Sequence, residues 1–163
     1  MRGAYCWPQS VIPGENITVF FGPNASGLII TITREGKNTT EVLARKGIDS
    51  PDQPMPLNVS RKGVDWAPCF EFEVGQDWSS GFYLVSVTDG DDHVSEAFFV
   101  VRSNRVLDAM LVLSTSTWAA YNHWGGPSFY MGSSHSSLRR PLPKGFLYKE
   151  DPMSHRIAHY MNW

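Results

Sequence analysis

A chain of 163 residues with 42% hydrophobic and 13% aromatic content has ample material for a packed core, which argues against general disorder. A formal charge of −2 and the lack of any Lys/Arg run leave no electrostatic footprint for nucleic acid, so none is expected as a partner. No apolar stretch approaches the ~20 residues that span a bilayer, and the N-terminus lacks a signal-peptide core. No membrane partner is expected, therefore, and the expected location is cytoplasmic.

Residues 1–102 read as all-β. Ile17 to Phe21, Leu28 to Arg34, Glu41 to Arg45, Phe70 to Val74, Phe82 to Val87 and Val94 to Val101 are rich in β-branched and aromatic residues, with Gly, Pro, Asn or Asp clusters between them. Leu28, Ile30 and Ile32 alternate cleanly onto one face. Phe82, Leu84 and Ser86 oppose Tyr83, Val85 and Val87. Asp89-Gly90-Asp91-Asp92 is hairpin chemistry. About seven short strands with regular turns predict an immunoglobulin-like or fibronectin-like β-sandwich. Gly81-x-Tyr83 has the look of a tyrosine corner, whose hydroxyl ties down backbone. Trp66 and Trp78 are expected to seal the core at an edge. Asp49 to Arg61, with three prolines, reads as a long surface connection.

Cys6 and Cys69 form neither a metal site nor a disulfide framework. They either face each other across the sandwich or stay as buried free thiols, and the second is preferred in a chain without a secretion signal. The sequons at Asn16, Asn24, Asn38 and Asn58 would matter only in a secreted protein.

Ser103-Asn104-Arg105 marks a boundary between residues 1–102 and 103–163. Val106 to Leu113 is a nearly continuous apolar run, typical of a strand covered on both faces. It runs into Ser114 to Tyr130, STSTWAAYNHWGGPSFY, where aromatic and hydrogen-bonding side chains are too dense for all to be core. Gly125-Gly126 stops any regular element there. Such a loop, at the carboxyl end of a strand, is where open α/β sheets place ligands. Gly132 to Ser137 is small and polar, hence mobile or shaped by a partner. Arg139-Arg140 reads as a solvated pair. A final helix begins with Asp151 as cap and Pro152 in the first turn, with Met153, Ile157, Tyr160 and Met161 as an apolar stripe. His155 and His159 are four apart on it, but with no third ligand they are read as a solvated face.

Thr117, Trp118, Ala120, Tyr121, Asn122, Trp124, Gly125, Gly126, Ser128 and Tyr130 spell Thr-Trp-x-Ala-Tyr-Asn-x-Trp-Gly-Gly-x-Ser-x-Tyr. In this loop the chain resembles the large (beta) subunit of N,N-dimethylformamidase and its wider family. CWPQSVIPGE, DWSSGFYLVSV, EAFFVVR and RRPLPKGF fit it more loosely. The resemblance implies hydrolysis of a small substituted amide at a mononuclear iron (Fe3+) held by tyrosines and a glutamate. It also implies a three-layer α/β domain like that of glutamine amidotransferases, of which 103–163 would be the first β–loop–α unit. The family's His-Asp-Glu-Tyr-Trp motif, which supplies the carboxylate, does not occur in these residues. The expectation is therefore an N-terminal portion, inactive by itself, with the remainder or another chain covering its exposed edges. A second copy or a small subunit is the expected partner.

By that resemblance Tyr121 is a metal ligand, with Tyr148 named as the second and Tyr130 as its competitor. A phenol with a reference pKa near 10 becomes a ligand only when a highly charged cation displaces its proton, which suits ferric iron. Asn122 is placed to aim an amide at substrate or to hold the loop shut, and His123 to act as acid or base or simply to face solvent. Trp118 and Trp124 would wall the substrate's methyl groups or pack in the core. There is no Gly-x-Ser-x-Gly elbow, phosphate-binding glycine loop or dinucleotide fingerprint, and neither cysteine sits where thiol chemistry would need it. The alternative reading is a non-catalytic sandwich that docks a partner subunit or carbohydrate. A non-catalytic relative whose loop only stabilises an interface is a third.

Overall fold

A computed structural model describes residues 1–90, 93–143 and 145–147. Eight strands come first in the chain: β1 (Gly3–Trp7), β2 (Ser10–Val11), β3 (Asn16–Gly22), β4 (Ala25–Glu35), β5 (Thr40–Ser50), β6 (Phe70–Glu73), β7 (Gly81–Thr88) and β8 (Val94–Val101). Helix α1 (Val59–Lys62) lies between β5 and β6, and α2 (Thr115–Tyr121) follows β8, with a 3-10 turn at Phe129–Met131. The strands form two sheets, β1-β3-β6 and β2-β8-β7-β4-β5. All pairings are antiparallel except β2 with β8, which run parallel. The result is a β-sandwich. All six expected strands are present; β1 shows no apolar-polar alternation because Gly3 to Cys6 are buried on both faces, and β2 is only two residues long.

The main core fills the space between the sheets. Ile17, Val19 and Phe21 of β3 meet Leu28, Ile30 and Ile32 of β4 and Tyr83, Val85 and Val87 of β7, all without exposed surface. The Tyr83 hydroxyl donates to the Ser79 carbonyl at 2.6 Å, so the expected tyrosine corner is present. Trp78 stacks on the same ring at 5.2 Å and closes that end of the core. Cys6 and Cys69 are both free thiols. They do not face each other across the sandwich but flank Val19 within one sheet: Cys6 is its β1 partner, and the Cys69 thiol donates to the Val19 carbonyl at 3.2 Å. Burial pushes both thiols above their usual pKa, Cys69 to about 11. That is the environment of an inert cysteine.

Both outer faces are partly covered as well. Phe82, Leu84 and Phe98 point away from the main core and are buried by Trp118 and Leu147, with Leu113, Leu142 and Phe146 at the margin. On the other sheet Tyr5, Trp7 and Phe20 are covered by Val59, Val64, Trp66 and Trp124. Residues 113–147 therefore wrap the sandwich. Each large side chain buried in this way is worth about 1.5–3 kcal/mol.

Two expectations change here. Residues 106–113 form no strand, and their apolar side chains other than Leu113 face outward: Val106 is 100% and Met110 85% exposed. An apolar run states what needs covering, not that it is covered, and among the described residues no strand edge is offered to it. The small hydroxyl residues after it open helix α2 rather than a loop. Ser114 stands at the cap position and Thr115 begins the helix, as Ser and Thr commonly do at helix starts. Asp49 to Arg61 is only partly a surface connection, since it finishes β5 and then starts α1, whose Val59 and Ser60 are buried. The final helix, with His155 and His159, lies outside the described residues, as do Asp91 and Asp92.

Tyr5 supplies a pH dependence. Its hydroxyl donates to the Val64 carbonyl at 3.1 Å, and burial, opposed by Arg139 and aided by Asp65, pushes its pKa to about 12. The unfolded phenol ionises near 10, so the unfolded state releases its proton first. The stability this group contributes is complete below pH ~10 and is lost as pH rises toward 12. Urea midpoints measured from pH 8 to 11 should fall less steeply for Tyr5→Phe than for the parent chain; equal slopes would contradict this assignment.

Candidate functional site

The motif stretch is built around two buried polar residues. Helix α2 ends at Tyr121, and Asn122 leaves it with an extended backbone (φ −62°, ψ 118°). The Asn122 amide nitrogen donates to the Pro141 carbonyl and its oxygen accepts from the Trp124 N–H, both at 2.9 Å. Asn122 is thus spent on backbone. Of the two roles expected for it, these bonds are those of holding the loop shut: they fasten the 122–126 turn against Pro141.

Arg140 completes the fastening, and it is not the solvated residue expected. It is 2% exposed. Its Nη1 donates to the Trp124 carbonyl at 3.1 Å and to Ser60 Oγ at 3.2 Å, while Nη2 donates to the Asn122 carbonyl at 2.7 Å and to Ser136 Oγ at 3.1 Å. The two serines pass the links onward, Ser60 to the Pro127 carbonyl at 2.7 Å and Ser136 to the Ala119 carbonyl at 2.5 Å. Burial lowers the Arg140 pKa from its usual value. The sequence signal was an arginine followed at once by Pro-Leu-Pro, a stretch too stiff and apolar to be a solvated loop. Its neighbour Arg139 is exposed and sits 4.6 Å above the Trp7 ring.

Glycine allows this close approach. Gly63, just after α1, has φ +76°, and a side chain there would run into Ser137 Oγ and the Arg139 carbonyl. Backbone bonds tie the same segments together: Val64 N–H to the Arg139 carbonyl and Ser137 N–H to the Ser60 carbonyl, both 2.8 Å. The Gly132 to Ser137 stretch is thus held by contacts within the chain.

The two tryptophans of the motif do not share a wall. Trp118 packs edge-on against Phe98 at 5.1 Å, whereas Trp124 packs edge-on against Trp66 at 5.6 Å in a different cluster. Each is nearly buried, at 3% and 6% exposure. Trp118 also lines a cavity of about 20 Å³, together with Gln9, Thr115, Asn122, Ser137 and Arg140.

Outward from this buried frame stand the residues with reactive potential. Tyr121 is 38% exposed and stacks on Tyr130, itself 70% exposed, with ring centroids 4.2 Å apart. Hydrogen bonding to Tyr130, then the charge that Tyr130 would carry, pushes the Tyr121 phenol above its ordinary pKa. A cation beside Tyr121 would act in the opposite sense and favour its ionised form. His123 is exposed, with its ring 6.2 Å from Phe146. Tyr148 lies outside the described residues. Among the described residues no three His, Cys, Asp or Glu side chains cluster to hold a metal, and no helix is long and apolar enough to cross a membrane.

If Asn122 serves as a structural tie, Asn122→Ala leaves the Trp124 N–H and Pro141 carbonyl unpaired and costs about 2–4 kcal/mol of unfolding free energy. Urea denaturation reads this directly, and an unchanged midpoint would return Asn122 to a purely chemical role.

No curated protein matches the sequence. A family profile described as N,N-dimethylformamidase beta subunit-like, C-terminal, matches residues 30–156, from within β4 through the whole aromatic motif. The chain belongs to the N,N-dimethylformamidase beta subunit-like family.

Proposed function

We propose that this chain contributes to a metal-dependent hydrolase that cleaves the C–N bond of a small substituted amide, with Tyr121 as a ligand to ferric iron. The observation that supports this reading is the exposed Tyr121–Tyr130 stack, carried on a turn that Asn122 and Arg140 hold rigidly. In kind, two phenol oxygens suit a hard trivalent cation. When bound, such an ion polarises the amide carbonyl and acidifies a water.

The chain's own residues have separable parts in this proposal. Tyr121 gives up its proton to become an anionic ligand. Tyr130, in contact with it, is the described candidate for a second phenolate, and Tyr148 is the other. Exposed His123, two residues along, is the proposed carrier of the proton that leaves with the amine. Trp118 and Trp124 act through the packing beneath the turn. The third, carboxylate ligand comes from outside the described residues, since the interactions that shift Tyr121 trace to Tyr130 and burial, not to an acid. Without that carboxylate the chain is expected to have little activity.

The same reading gives the exposed run 106–113 a purpose. We assign it to an α/β layer of the glutamine amidotransferase-like type that is completed by further chain, a second copy or a small subunit. Val106, Leu107, Met110, Leu111 and Val112 are all exposed apolar residues in eight consecutive positions.

Ferric iron added to the chain, with acetate present as a surrogate carboxylate, should produce a visible phenolate-to-iron absorption. Tyr121→Phe abolishes it, and separate Tyr130→Phe and Tyr148→Phe variants identify the second ligand by which of them weakens it. A parent chain without the band, or a band that survives Tyr121→Phe, ends the assignment.

A further inference from the structure

We propose that Tyr121 and Tyr130 form an oxidative cross-linking site, at which a small one-electron oxidant joins the two rings into an intramolecular dityrosine. Coupling of this kind needs two phenols that an oxidant can reach and that stay in contact while both react. Both conditions are met here. The rings are 38% and 70% exposed, and they stack with centroids 4.2 Å apart and planes 26° from parallel. The Tyr121 hydroxyl also hydrogen-bonds to Tyr130, which brings the oxygen-bearing ends of the two rings together. The ortho carbons, where a phenoxyl radical carries much of its unpaired spin, flank those ends. No other described tyrosine offers this: Tyr5 is buried against Phe20 and Trp66, and Tyr83 against Trp78 and Phe99.

The fold prepares the pair. Tyr121 ends α2 and Tyr130 lies in the 3-10 turn Phe129–Met131, so the chain doubles back between them. Gly125, at φ +69°, permits that reversal. The buried side chains of Asn122, Trp124 and Ser128 anchor it from within. Holding two reactants together in this way turns a bimolecular encounter into an intramolecular step. Each phenol passes one electron to the oxidant and one proton to water. The two phenoxyl radicals then form one carbon–carbon bond between ortho carbons, and the hydrogen on each of those carbons moves to its ring oxygen, restoring both phenols. The net loss is two electrons, taken up by two equivalents of the oxidant, and two protons, taken up by solvent. The product ties the end of α2 covalently to the 3-10 turn, where the unmodified chain has a ring stack and a hydrogen bond. The step uses no metal, so the site does not rest on the iron reading.

The test uses the full chain, dilute and with a chelator present, and photogenerated tris(bipyridine)ruthenium(III) as the oxidant. The monomer should acquire dityrosine fluorescence and lose the mass of two hydrogen atoms, in a yield that does not change when the protein is diluted several-fold. Peptide mapping should find the link between Tyr121 and Tyr130. Tyr130→Phe, which keeps a ring for the stack, should remove both signals from the monomer, whereas Tyr5→Phe should leave them intact. Unfolding in urea should suppress the link several-fold, because coupling then depends on chance encounters. A monomer without the signal, fluorescence confined to covalent dimers, a link between other tyrosines, or an equal yield in urea overturns the proposal. So does a monomer signal that survives Tyr130→Phe.

Discussion

A single positive charge taken out of water organises the C-terminal half of the described chain. Arg140 reaches from the 137–142 stretch to the carbonyls of Asn122 and Trp124 and to the hydroxyls of Ser60 and Ser136. These groups belong to α1, to the turn after α2 and to the loop before Arg140, three segments with little regular structure of their own. Loops of this kind would ordinarily be the least stable part of a domain. Here their carbonyls are satisfied by one planar, pre-organised donor fork, which loses little entropy on binding. The wrap is rigid for electrostatic reasons, and its aromatic rings then add apolar burial on both outer faces of the sandwich.

That rigidity explains how the motif divides its residues. Asn122, Trp118, Trp124 and Ser128 face inward and are buried, whereas Tyr121, His123, Phe129 and Tyr130 face outward. A turn that had to present phenols to an ion at a fixed separation would need such a division, because a ligand on a loose loop is placed too imprecisely to serve. The buried members set the geometry of the turn, and the exposed members face solvent. In the Tyr121–Tyr130 stack the rings support each other by packing, while the hydrogen bond with Tyr130 holds the Tyr121 phenol above its ordinary pKa.

A second tension lies at residues 106–113. An apolar stretch of this length in contact with water is unusual for a folded chain. It leads directly into α2 and so lies next to the motif in the chain. The family profile spans both the run and the motif.

Much of this was legible without coordinates. Periodicity two in Leu28, Ile30 and Ile32 and in Tyr83, Val85 and Val87 determined the strands and their buried faces, because the pleat leaves no other choice of side. Gly81-x-Tyr83 determined the corner, and the Trp-x-Ala-Tyr-Asn-x-Trp-Gly-Gly pattern determined the family and the region of interest. The tertiary structure alone decided that Arg140 is buried while Arg139 is not, since adjacent arginines look alike until a ring of carbonyls closes around one of them. It also decided that Val106 to Leu113 has no partner strand among the described residues, that Asn122 is bound to backbone, and that Tyr121 meets Tyr130. Each of these depends on groups distant in the chain being brought within hydrogen-bonding or stacking reach. Local spacing carries no record of such encounters, whereas it fully records the alternation of a strand.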